Sequence, residues 1–369
     1  MKITAVICEF NPFHRGHEYI LSSARQVASP DGCVLAVMSR VFTQRGTPSI
    51  YPAEVRARAA LSYGADLVLE LPYPYSSSGA EDYAASSVKI ALGAGADSLV
   101  FGSETGDIEG LYLMAQRLLS EEYNSLLSSL VLKSPDARYA LLREEAYRRL
   151  YNENLKTTPN DILAIEYIKA VILSGKDVKL HAEKRIHGFS ATRARDAIIN
   201  GGDLFYQVGE ALAKEYLSIR PFDYERFSAI CLWALRNNNR ISNGLYGMPD
   251  GMLERLSDAA ESAKCYDEII LNAATKKYTN AAIRRAILSF VLSTKRESVK
   301  SDPLFTRLIG ANERGRMALA QSEIPIITRA SDARLLCEEA KSQLELAKMA
   351  DELYDICNPN KRSFKPVII

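Results

Sequence analysis

The chain has 369 residues, enough for two cores at the usual size of about 100–200 residues per domain. With 47% hydrophobic and 25% charged residues, no apolar run near the roughly 20 that a membrane helix requires and no cleavable N-terminal signal, it reads as a globular protein expected in the cytoplasm. The net charge of +1 excludes any argument for a nucleic-acid partner from overall charge, and the six cysteines, without C-x-x-C or metal-ligand spacing, read as reduced structural thiols. In chain order, the apolar runs 3–8, 33–38, 67–71, 98–101 and 178–181 predict strands, being β-branched or leucine-rich and too short for helices. Between them the spacing predicts helices over 18–27, over 53–63 (opened by Pro52, closed by Gly64) and over 80–93. A helical insertion follows over 111–150, then a helix from about Asn160 to Ser174. This alternation predicts a parallel, Rossmann-like sheet with right-handed crossovers. After about Leu204 strand signals fade and Leu, Ala and Arg recur at helical spacing through Lys348, while the tail 358–369 is expected to be irregular. The expected organisation is an α/β domain over 1–204 followed by a mostly α-helical domain over 205–369.

The first strand runs straight into Glu9-Phe10-Asn11-Pro12-Phe13-His14-Arg15-Gly16-His17, after which an amphipathic helix begins. That order puts a loop over a helix N-terminus at the carboxyl edge of the sheet, where unpaired amides and the helix dipole favour phosphate. Gly16 lets backbone approach a nucleotide closely. His14 and His17 can each donate a hydrogen bond, and protonated rings add charge where an α-phosphate accumulates it, so their expected task is transition-state stabilisation. A lone histidine here reads as a helix cap. Two of the chain's four, three residues apart around a glycine, favour chemistry.

This H-x-G-H element after strand one resembles that of the nucleotidyltransferase superfamily. The fuller run from Glu9 to His17 resembles the bacterial tRNA(Met) cytidine acetate ligase family. Further matching segments are Gln44-Arg45-Gly46, Gly64 to Pro72, Phe101-Gly102-Ser103-Glu104, Pro159 to Ala164, Ser190-Ala191-Thr192 with Arg195, and Thr275 to Thr279 leading to Ile283-Arg284-Arg285. The chain departs from the pattern after Met38-Ser39, where Arg40-Val41 stands in place of the family's glycine-asparagine.

The resemblance implies an ATP-dependent ligase that activates acetate as acetyl-adenylate and transfers the acetyl group to N4 of the wobble cytidine of elongator tRNA(Met), giving N4-acetylcytidine. It implies His14 and His17 as catalytic groups. ATP contacts are expected from Ile7, Cys8, Glu9, Phe10, Asn11, Pro12, Phe13, His14, Arg15, Gly16 and His17, with Gly102, Asn160, Arg185, Ser190, Thr192 and Arg195. Ser190 or Thr192 can cap a helix whose dipole suits pyrophosphate, with Arg185 and Arg195 as forked donors. Magnesium can enter with the triphosphate, and no carboxylate cluster suggests a protein cage for it. Residues 271–300 carry Lys276, Lys277, Arg284, Arg285, Lys295, Arg296 and Lys300 against Glu297 alone, the footprint of a polyanion partner. Within the family this half carries tRNA, which implies Lys276, Lys277, Arg284 and Arg285 as RNA contacts, with Tyr278 able to stack on an unpaired base. Two other readings stay open: a small-molecule adenylyltransferase, and a non-catalytic RNA-binding protein.

Overall fold

The structure is a computed structural model describing residues 1–135, 137–155, 158–237, 244–299, 302–360 and 365–369. Strands β1 (Ile3–Cys8), β2 (Cys33–Ser39), β3 (Leu67–Leu71), β4 (Ser98–Ser103) and β5 (Lys179–Lys184) lie parallel in the order β5-β4-β1-β2-β3. They are joined through helices α1 (Arg15–Ala28), α2 (Ala53–Ser62), α3 (Ala80–Gly93), α4 (Ile108–Leu119), α5 (Glu121–Lys133), α6 (Tyr139–Tyr151) and α7 (Pro159–Ser174). Because successive strand residues face opposite sides, Ala5, Leu35 and Val37 pack with α3, α4 and α7, while Val6, Ala36 and Met38 pack with α1 and α2. Burial on both faces explains why the central strands read as unbroken apolar runs.

Helices α8 (Ala191–Asn200), α9 (Leu204–Val208), α10 (Glu210–Ser218), α11 (Tyr224–Arg236), α12 (Met252–Ser262), α13 (Tyr266–Ala273) and α14 (Asn280–Val291) follow. Three further strands then appear, β6 (Thr306–Ala311), β7 (Ile326–Ile327) and β8 (Val367–Ile368), with α15 (Glu313–Ala318) and α16 (Glu338–Cys357) among them. β6 pairs antiparallel with β3, and β7 and β8 both pair with β6, so the late part of the chain extends the sheet. Sequence reasoning saw no strand beyond Leu204. The strand signal of β6 is broken by Arg307, whose charge is matched inside the fold by Glu70 and Asp351. Residues 361–364 of the tail and Lys300 of the basic cluster lie outside the described residues; Val367 and Ile368, expected to be irregular, pair with Gly310 and Ala311.

A second core formed by α11, α12, α13, α14 and α16 also takes in Val41, Phe42 and Tyr73 from the loops after β2 and β3. Tyr73 and Thr294 share a hydroxyl hydrogen bond of 2.7 Å, and the Tyr354 hydroxyl donates to the Ser49 carbonyl at 2.9 Å. These contacts fix the helical half against the carboxyl edge of the sheet. Among the described residues no helix is long and apolar enough to cross a membrane.

Candidate active site

β2 and β3 lie on one side of β1 and β4 and β5 on the other, so the loops leaving β1 and β4 diverge and open a crevice at the carboxyl edge. Glu9 to His14 form the loop after β1. Phe10 takes a left-handed φ of 46°, turning the chain back over the strand end, a conformation that costs a non-glycine residue energy and persists only where its surroundings fix it. Phe10 and Phe13 are buried edge to face at 5.0 Å, with the His17 ring 4.9 Å from Phe10. The Asn11 side chain straps this loop to the one after β2, its Oδ1 accepting from the Ile50 amide at 2.8 Å and its Nδ2 donating to the Pro48 carbonyl at 3.5 Å. Of the residues expected to meet the nucleotide, Cys8, Phe10, Pro12 and Phe13 are buried and shape the loop, Ile7 and Glu9 are half-buried, and Arg15 is exposed at the first position of α1.

His14 is the N-cap of α1. Its Nδ1 accepts from the Gly16 amide at 3.0 Å, and the Nδ1 of His17 accepts from the His14 amide at 3.2 Å. The two rings stack at 3.8 Å. A neutral imidazole whose Nδ1 accepts carries its proton on Nε2, so both rings become Nε2–H donors. Burial first, then the nearby Arg185 and Arg195, lowers the His14 pKa to about 4. His17 keeps part of its surface exposed yet is surrounded by protein; burial, then His14, holds its pKa well below the ordinary value. The protonated rings considered from the sequence are therefore disfavoured, and the pair presents two neutral Nε2–H groups. Capping does not compete with presenting Nε2–H, since the cap is what fixes the tautomer. A Cβ on Gly16 would lie 2.9 Å from His14 Cε1 and 3.1 Å from its Nδ1, so glycine here admits the ring.

The residues expected to meet phosphate are grouped on and before α8. Ser190, not Thr192, is its N-cap, accepting from the Arg193 amide at 3.2 Å, and the exposed Thr192 hydroxyl accepts from Arg195 Nη2 at 3.2 Å. Arg195 also donates through Nη1 to the Asn11 carbonyl at 2.5 Å, tying α8 to the H-x-G-H loop. Across the crevice the end of β4 supplies Gly102, beside which a Cβ would meet only Ile20 Cδ1 at 3.9 Å. Asn160 does not cap α7; Thr158 does, accepting from the Asp161 amide at 3.3 Å. Asn160 Nδ2 instead donates to Glu104 Oε1 at 2.7 Å, and Arg185 Nη1 donates to the same oxygen at 3.0 Å.

Glu104 and Asp161 are the pieces that sequence reasoning missed as site residues. The buried Asp161 accepts from the Ser103 hydroxyl at 2.6 Å and the Glu104 amide at 3.0 Å, fixing the turn that carries Glu104. Both lay inside matching segments, so the signal was present but their roles depended on contacts between distant segments. The two acids of the matching segment Gly64 to Pro72 are held away from the crevice: Asp66 precedes β3 at the amino edge with Arg25 and Asn312, and Glu70 pairs with Arg307.

Gln44-Arg45-Gly46 lies between the loop after β1 and α14. The Gln44 amide donates to Glu9 Oε1 at 2.7 Å, and Arg285 Nη1 donates to the Gln44 carbonyl at 3.1 Å. Burial raises the Glu9 pKa, opposed by the Gln44 bond and by Arg45, Arg195 and Arg56. Lys276 and Lys277 are exposed, with Lys277 Nζ 5.9 Å from the Tyr278 ring, whereas Arg284 and Arg285 on α14 are half-buried. Among the described residues no three His, Cys, Asp or Glu side chains gather as a metal cage.

Comparison with known proteins finds likeness over nearly the whole chain. A family model described as HIGH Nucleotidyl Transferase matches residues 1–366. A tRNA(Met) cytidine acetate ligase of Listeria monocytogenes serotype 4b is 32% identical over 370 residues, covering 93% of each chain. One from Acetivibrio thermocellus is 30% identical over 401 residues, covering 98% of this chain and 96% of its own. The crystal structure of Thermotoga maritima TmcAL bound with alpha-thio ATP superposes with a TM-score of 0.91 at 28% identity, covering 100% of both chains.

Proposed function

The chain belongs to the HIGH nucleotidyl transferase family, and from that premise we propose that it is an ATP-dependent tRNA(Met) cytidine acetate ligase. The observation that carries this reading is the interlocked His14–His17 pair at the mouth of α1, facing Arg185 and Arg195, in a chain that aligns nearly end to end with relatives of that name. ATP lies across the crevice. Residues from Ile7 to His17 bear on the α-phosphate and adenosine, Gly102 and Asn160 take the nucleoside, and Arg185, Ser190, Thr192 and Arg195 take the β- and γ-phosphates. Magnesium accompanies the triphosphate.

An acetate oxygen attacks the α-phosphorus, the bond to the bridging oxygen breaks, and pyrophosphate leaves with its negative charge held at α8. The Nε2–H groups of His14 and His17 stabilise the charge that builds on the α-phosphate, and because they are already oriented they need no rearrangement as it develops. The exocyclic amine of the wobble cytidine then attacks the acetyl carbon, AMP leaves, and the amine gives up one proton. Such an attack requires the base outside a stack, which an anticodon loop allows. Residues 1–204 supply the nucleotide chemistry and 205–369 the tRNA contacts, and the protein works in the cytoplasm.

The test is to incubate the purified protein with ATP, labelled acetate and elongator tRNA(Met), digest the RNA and look for labelled acetylcytidine. Acetate-dependent exchange of pyrophosphate into ATP should be seen without tRNA. Exchange that instead required phosphopantetheine or a second nucleotide would sink the ligase reading.

A further inference from the structure

Arg56, on α2, is completely buried and, among the described residues, has no carboxylate within ion-pair distance. Its donors all go to backbone carbonyls: Nε to Tyr51 at 3.0 Å, Nη1 to Glu9 at 2.6 Å and to Ser39 at 2.9 Å, and Nη2 to Arg40. Those carbonyls belong to three separate segments, the ends of β1 and β2 and the entry to α2. Burying a cation without a paired carboxylate is expensive, and Glu54, which acts on Arg56 through space, is itself paired with Arg40, so the placement of Arg56 calls for a reason beyond stability.

Two physical effects meet there. The carboxyl edge of parallel strands presents carbonyl oxygens toward the place where a carboxylate and a triphosphate must come together, and a guanidinium bound to three of them offsets their repulsion of anions. The Glu9 carbonyl also belongs to the residue just before Phe10, the left-handed turn from which the loop runs on to His14 and His17. Pinning that carbonyl fixes where the turn begins, and the turn fixes where the imidazoles stand. Arg56 is therefore upstream of the catalytic geometry without touching it.

We propose that Arg56 is a positioning residue for adenylylation: it clamps the ends of β1 and β2 so that the His14–His17 pair faces the α-phosphate in its neutral, Nε2–H form. This rests on the adenylylating role argued above. A lysine at this position keeps the charge but cannot span four carbonyls with the flat fork of a guanidinium.

The experiment uses the full chain as wild type, Arg56→Lys and Arg56→Met, labelled with nitrogen-15 histidine; only four histidines are present, so the rings can be assigned. Wild type should show two rings still neutral and protonated on Nε2 at about pH 6. Arg56→Lys should melt cooperatively yet lose that signature in one or both rings. Its kcat for acetate-dependent pyrophosphate exchange should fall about tenfold or more, while KM for ATP moves less than about threefold. A folded Arg56→Lys protein with both the signature and the kcat of wild type overturns the proposal. So does a loss of kcat accounted for by the unfolded fraction with the signature intact. Should Arg56→Met fail to fold, Arg56→Lys alone decides. If wild type shows no acetate-dependent exchange but the signature still changes in Arg56→Lys, the ligase reading fails and the positioning role of Arg56 is upheld.

Discussion

At the scale of single residues, backbone amides of the first turn of α1 hold the tautomer of each imidazole, Gly16 that of His14 and His14 that of His17, and each ring has its own measurable consequence. His17→Ala removes one preorganised Nε2–H donor and should lower the rate of adenylate formation on the order of a hundredfold, read from acetate-dependent pyrophosphate exchange. Unchanged exchange would take His17 off the catalytic list. His14 bears on stability. Its pKa is lowered from 6.5 to about 4, so the folded chain binds fewer protons than the unfolded chain between those values. The stabilisation is complete above 6.5 and is lost as pH falls toward about 4, an effect of about 3 kcal/mol for one fully expressed site. Urea unfolding at a series of pH values should show wild type losing stability over that window more steeply than His14→Asn, and parallel curves would refute it. The histidine pair itself was legible, because H-x-G-H directly after a strand has few other uses. Its protonation was not, because that depends on the burial of His14 and on Arg185 and Arg195, which come from the far end of the α/β half.

At the scale of elements, the loop after β2 couples the two halves because it touches both the loop after β1 and α14. Gly46 has a φ of 72°, and a Cβ there would lie 2.8 Å from the Arg285 amide nitrogen and 3.0 Å from the Arg284 carbonyl carbon. Helix backbone cannot give way as a side chain does. Gly46→Ala should cost about 2 kcal/mol or more, the sum of a left-handed alanine and a displaced loop, measured as a lower urea midpoint with an unchanged slope. Exchange activity should fall with it, since the Gln44 amide then loses its grip on Glu9. The first four parallel strands were legible because each is largely apolar on both faces and bounded by turn residues, and their ends were placed within two residues, while β5, charged and only partly buried, runs three residues past its expected end. The antiparallel strand β6 was not, because Thr306, Arg307 and Gly310 break its apolar run and only the ion pairs with Glu70 and Asp351 make it a buried strand. The helix expected from about Asn160 is capped by Thr158, two residues earlier, which leaves the Asn160 side chain to reach Glu104.

At the scale of the whole molecule, the shared core around Phe42, Tyr73 and Tyr354 makes the sheet and the helical half one packed body, so tRNA bound on one can bring a base to the other without a domain having to travel. The basic segment divides accordingly. Lys276 and Lys277 are exposed at the lead into α14, where they suit a phosphate backbone. Arg285 is half-buried, with burial lowering its pKa and its Nη1 on the Gln44 carbonyl, so it holds the catalytic loop in place before any RNA arrives. Removing both lysines together should weaken tRNA binding and reduce the slope of log affinity against log salt by about 1.5–2, the loss of two phosphate contacts, while exchange without tRNA stays at the wild-type rate. Arg285→Ala should instead lower exchange even in the absence of tRNA, because the bond it loses is internal. A filter-binding salt series beside the exchange assay separates the two. If the double lysine variant kept the full salt slope, the polyanion would lie on another face, and the exposed lysines would be no more than a solvated lead into a helix.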